Sequence, residues 1–160
     1  MFVRHFTSAF TVAVMLACAG ATNVWVNVNP LTGVDSPSCN TTKPCQTIAY
    51  AVQWRNASII SLAAAVFNEP SVPIIGVLYL IINGTVGSVF DCSLRASGSV
   101  SSGPAFIVAN SSVVISGVIF QNCTNFNVIA GIGGAVSADT SSISVNNCSF
   151  FNNLAQIGGA

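Results

Sequence analysis

Apolar and polar residues alternate in short bursts along most of this chain. Val24, Val26 and Val28 bracket Trp25 and Asn27 in the alternating rhythm of an early strand. Val86–Phe90, Ala105–Val108 and Val113–Ile115 read as further short strands. The apolar stretch Val72–Ile82 reads as one or two buried strands broken at Pro73 and Gly76. Ser97–Gly103 is a polar, glycine-containing loop. One segment has a different period. Ile48, Ala51, Val52 and Arg55 recur at helical spacing behind Thr47, a suitable N-cap, with Pro44-Cys45 just ahead. The spacing predicts a short helix covering the first coil of whatever the strands build.

What the strands build is suggested by an internal repeat. Ser116–Ala135 falls on Ser141–Ala160 without a gap, with ten of twenty positions identical. Asn122-Cys123 meets Asn147-Cys148, and Phe126-Asn127 meets Phe151-Asn152. Ile132-Gly133-Gly134-Ala135 meets Ile157-Gly158-Gly159-Ala160. A period of this length fits one coil of a β-solenoid, in which equivalent residues stack about 4.8 Å apart. The expected inward columns are Ile129 over Leu154, Ala130 over Ala155 and Ile132 over Ile157. The Gly-Gly pairs mark a corner needing positive φ or close backbone approach. Asn at a repeated corner tolerates the left-handed conformation.

These residues resemble a known family. Asn147 through Ala160, with Gly133-Gly134-Ala135-Val136 and Phe150-Phe151-Asn152-Asn153, looks like the GGA[I/L/V] and FxxN repeat of polymorphic outer-membrane proteins, carried on a pectin-lyase-like β-helix. Cys39 through Ala51 resembles the capping start of extracellular β-helix proteins. Phe90-Asp91-Cys92-Ser93, Ala105–Val108 and Val114–Phe120 resemble later coils. The resemblance implies an all-β, right-handed parallel β-helix with a short N-terminal capping helix, its C-terminal coils cut short. Residues 1–21 form a leader, 22–57 the first strand and capping helix, and 58–160 the coils. It also implies a secreted or cell-surface scaffold, adhesin-like and without catalysis. The alternative is a polysaccharide-active, pectin lyase-like enzyme or a degenerate relative of one.

Composition and charge narrow this further. Charged residues are 5% of the chain and 52% are hydrophobic, with formal net charge zero. That balance offers no basic footprint for nucleic acid. Arg4 and His5, an apolar run to Cys18 and Ala19-Gly20-Ala21 form a secretory signal cut after Ala21. The apolar run is short for a membrane span of ~20 residues, and none is expected in the mature segment. Six Asn-x-Ser/Thr acceptors follow: Asn40, Asn56, Asn83, Asn110, Asn122 and Asn147. Five cysteines remain in an oxidising compartment, an odd number. Cys39 and Cys45 close a small loop around Pro44 or hold the helix to the first coil. Cys123 and Cys148 occupy equivalent repeat positions, as a disulfide or as an unbonded thiol column.

Catalytic chemistry has few carriers. His5, the single histidine, leaves with the signal, so neither a serine or cysteine triad nor a His-based zinc site remains. Neither a cofactor nor a metal is implied. Glu69 and Asp91 lie about one coil apart with Arg95 close by, the one constellation suited to sugar-bond chemistry; the competing assignment puts Glu69 in a turn and Asp91 on a backbone group beside Cys92. Trp25 and Trp54 are expected to pack in the core or capping region, the alternative being stacking on a sugar. The partners this implies are extracellular carbohydrate or protein, with self-association through an open coil edge.

Overall fold

The computed structural model describes residues 24–94, 103–125 and 133–155. The leader at 1–21, Arg95, and the 129, 130, 132 and 157 column positions lie outside the described residues. Among the described residues, fourteen strands and one α-helix follow in order. They begin with β1 (Trp25–Val28), α1 (Ile48–Gln53), β2 (Ile59–Leu62), β3 (Val66–Phe67), β4 (Val72–Ile75), β5 (Leu80–Gly84) and β6 (Val89–Asp91). Then come β7 (Phe106–Ala109), β8 (Ser112–Ser116), β9 (Ile119–Gln121), β10 (Thr124–Asn125), β11 (Val136–Asp139), β12 (Ser142–Asn146), β13 (Ser149–Phe151) and β14 (Leu154–Ala155).

Every strand pairing among them is parallel, and no two consecutive strands are neighbours except β1 and β2. The sheets run β1-β2-β5-β8-β12, β13-β9-β6-β3, β11-β7-β4 and β10-β14. Such an order arises when the chain winds, and it makes a β-solenoid of about four turns.

The core is built as columns. Val26, Ile60, Ile82, Ile115 and Val145 stack through successive registers of the five-stranded sheet. Phe67, Phe90, Phe120 and Phe150 stack in the four-stranded sheet. Phe90 and Phe120 are fully buried, 6.4 Å apart and stacked, and Phe106 meets Phe120 edge-on at 5.8 Å. Each buried ring or branched chain contributes about 1.5–3 kcal/mol.

The coil is longer than the sequence match implies. Ser142 pairs with Ser112, Ser149 with Ile119 and Leu154 with Thr124, an offset of 30 each time. Leu154 and Ala155 therefore lie over Thr124 and Asn125, not over residues 129 and 130. The match of Ser116–Ala135 to Ser141–Ala160 superposes two different kinds of corner. Asn122, after β9, and Asn147, after β12, are both left-handed (φ 58° and 50°) and both precede a cysteine. The corner partners in space are Asn122 with Asn152 and Gly117 with Asn147, all at positive φ. Gly133 is also left-handed (φ 80°), and any side chain there would strike the Val136 carbonyl.

Pro73 does not break its segment; it sits inside β4, the edge strand of its sheet, where a missing N–H is tolerated. Gly76 (φ 68°) is where the strand ends. Val86 is fully exposed before β6 begins at Val89.

Candidate interaction surface and the placement of the acids and cysteines

Glu69 and Asp91 are both occupied, in different places. The Thr47 hydroxyl accepts the Tyr50 N–H at 3.1 Å, as an N-cap should. Glu69 accepts the N–H groups of Ile48 (2.8 Å) and Ala49 (3.0 Å) at the same end of α1. Asp35 accepts the N–H groups of Gln46 and Thr47 and the Thr47 hydroxyl. Two carboxylates thus settle on the positive end of this short helix, whose buried face is Ile48, Ala51 and Val52.

Asp91 is buried beside a disulfide. Its carboxylate accepts the Ser93 N–H (2.9 Å), the Ser93 hydroxyl (2.7 Å), Gln121 Nε2 (2.6 Å) and Asn122 Nδ2 (3.1 Å). Burial pushes its pKa up, but those hydrogen bonds outweigh it and hold the group below its ordinary value of 3.8. A carboxylate saturated in this way is an anchor between coils. Among the described residues no group of three or more His, Cys, Asp or Glu is placed to hold a metal ion.

The cysteines follow expectation at one pair and depart from it at another. Cys39 bonds Cys45, and Cys123 bonds Cys92, with a Cα separation of 4.8 Å. Cys148 is a free, half-buried thiol whose sulfur lies near the carbonyls of Asn146 and Ile115. The pairing of Cys123 with Cys148 fails because the longer register puts Asn153 over Cys123, its Oδ1 accepting the Cys123 N–H at 3.0 Å. Trp25 and Trp54, expected in the core or cap, are 57% and 74% exposed; Trp54 stacks against Tyr50.

A surface that residue-by-residue motif reading missed is the outward face of the five-stranded sheet. Because side chains alternate, each strand turns every second residue outward. The registers align Asn27, Ser61, Asn83, Ser116 and Asn146 in one continuous polar row. The Ser116 hydroxyl lies 2.7 Å from Asn83 Oδ1 and donates to it. Beside it run Trp25, Ile59, Ile81, Val114 and Ser144. No side chain in either row is charged. A cavity of about 230 Å³ opens at the β1 end of this face, with Asn27, Ser61 and Thr85 on its wall. The row was visible only through register, since its members recur at unequal intervals, widest from Asn27 to Ser61 and narrowest from Ser61 to Asn83.

No helix among the described residues is long and apolar enough to cross a membrane. The two disulfides are compatible with an extracellular protein. Comparison of the chain with protein-family models, curated proteins and solved structures finds no match.

Proposed function

We propose that this chain is a secreted or cell-surface scaffold, adhesin-like and acting by interaction without catalysis. In this reading it is a right-handed β-helix of the pectin-lyase-like type, with α1 and the Cys39–Cys45 loop capping its first coil. The observation that carries the reading is the uncharged polar row Asn27–Ser61–Asn83–Ser116–Asn146 on a parallel sheet. Evenly spaced amide and hydroxyl groups about 4.8 Å apart offer repeated hydrogen bonds to an extended extracellular partner, carbohydrate or protein. The absence of charge along the row favours a neutral one.

The test is secretion followed by binding. The chain is expressed with its own leader in a eukaryotic host, the N-terminus of the secreted product is read, and the product is applied to arrays of neutral and acidic polysaccharides and matrix proteins. The account expects a mature start at Thr22 and binding that a Ser61→Arg, Ser116→Arg double substitution removes. Cleavage of a polysaccharide, or binding indifferent to both substitutions, overturns it.

A further inference from the structure

The six glycan acceptors divide sharply by environment. Asn56, Asn110 and Asn147 are exposed, sit at left-handed backbone positions (φ 48°, 49° and 50°), and make no side-chain hydrogen bond among the described residues. Asn110 and Asn147 stand at corners, between β7 and β8 and between β12 and β13. Asn56 follows α1. Asn122 is left-handed too (φ 58°), so what sets these three apart is exposure and the absence of side-chain partners among the described residues.

Asn40 and Asn122 are engaged through Nδ2, and Asn83 through its oxygen alone. Asn40 Oδ1 accepts from the Thr42 N–H (2.8 Å), the Thr42 hydroxyl (2.9 Å) and the Lys43 N–H (3.0 Å), while its Nδ2 donates to the Ser38 carbonyl. Asn122 is half-buried, and its Nδ2 donates at 3.1 Å to Asp91, itself only 6% exposed. A sugar on that nitrogen takes one of its two N–H bonds and has to fit, at a half-buried position, beside the Asp91 network and the Cys92–Cys123 bond. Asn83 lies mid-row on the five-stranded sheet, with Ser61 and Ser116 as neighbours on either side.

We infer that Asn56, Asn110 and Asn147 are the N-glycosylated positions and that Asn40, Asn83 and Asn122 stay bare, because three amides are free at turns, two are tied through Nδ2, and Asn83 is held within the polar row by the Ser116 hydroxyl. This rests on the secretory reading above. In the transfer, the amide Nδ2 attacks C1 of a lipid-linked oligosaccharide pyrophosphate. The N–C1 bond forms, the C1–O bond breaks, the amide gives up one proton and the lipid pyrophosphate leaves. Transfer to a nascent chain precedes packing, so the fold acts afterwards: a sugar on half-buried Asn122 crowds the Asp91 anchor, and chains that carry it are lost from the folded pool.

The test secretes the chain from a eukaryotic host twice, once behind its own leader and once behind an unrelated one. Enzymatic deglycosylation in heavy-oxygen water then marks each occupied Asn for mass spectrometry. The expected result is label at Asn56, Asn110 and Asn147 only. Asn110→Gln and Asn147→Gln should each remove one glycan's mass, and Asn122→Gln none. Label at Asn122 matching that at Asn110, or bare Asn110 and Asn147 on secreted protein, overturns the assignment. Secretion with only the unrelated leader, bearing the expected pattern, would sink the secretory reading and leave the assignment standing.

Discussion

The β1 side and the β12 side of the described coils contain the same columns in different surroundings. At the β1 end, Val26 and Val28 are fully buried. The outer edge of β1 is occupied: the Asn27 N–H reaches the Asn40 carbonyl, and Val28 bridges Cys45 in parallel. At the β12 end, Val145 continues the Val26 column and Phe150 the Phe67 column, yet they are 42% and 37% exposed. Among the described residues nothing pairs with the far edge of β12. A rung is therefore worth what its two neighbours make of it. An identical side chain is core in one coil and half-surface in the last described one.

The largest effect expected from this comparison comes from the phenylalanine column. Phe120→Ala should cost about 3–5 kcal/mol in denaturant unfolding, because rings pack on it from both sides. Phe150→Ala, with a ring on one side only, should cost less than about half of that. Equal losses would break the comparison. The disulfides come next. On loop-closure entropy the Cys92–Cys123 bond, spanning 31 residues, stabilises by about 4 kcal/mol, and the Cys39–Cys45 bond, spanning 6, by about 2 kcal/mol. Paired Cys→Ala substitutions measured by thermal melting would show whether that order holds.

Asp91 gives a smaller, pH-dependent effect. Its folded pKa is depressed, so its contribution is complete above the ordinary value of 3.8 and disappears as pH falls through the lower, folded value. Asp91→Asn should lose about 1–3 kcal/mol at neutral pH and flatten the acid limb of a stability-versus-pH curve. An unchanged acid limb would remove Asp91 as an inter-coil anchor. The smallest effect belongs to the exposed end of the aliphatic column. Val145→Ala should cost about 1 kcal/mol or less, against about 2–5 kcal/mol for Ile115→Ala one coil below.

Much of the local structure was legible because its causes are local. Thr47 ahead of Ile48, Ala51 and Val52 marks a helix start from a few residues alone, β1 follows from alternation, and β7 and β8 from short apolar runs. Winding, too, was legible in the recurrence of Asn corners. Register was not, because identity scoring cannot tell one left-handed corner from another. The Asn122 and Asn147 corners share a dipeptide, whereas the true neighbours Gly117 and Asn147 share only a positive φ. The readings that hung on register went with it: the Cys123–Cys148 alternatives and the column under Leu154. The polar row on the five-stranded sheet stayed hidden for the same reason. Its coils differ in length as loops grow or shrink, so Asn27, Ser61 and Asn83 share no common period.

Register in the last two coils is best tested by engineered cysteines in a Cys148→Ser background. Val114 and Ser144 face outward on adjacent strands and pair directly, a separation that a disulfide spans. Val114→Cys with Ser144→Cys should close a bond on mild oxidation. Ile119→Cys with Ser144→Cys, the pair that the sequence match would superpose, should stay reduced. Closure of the second pair and not the first would contradict the winding described for these coils.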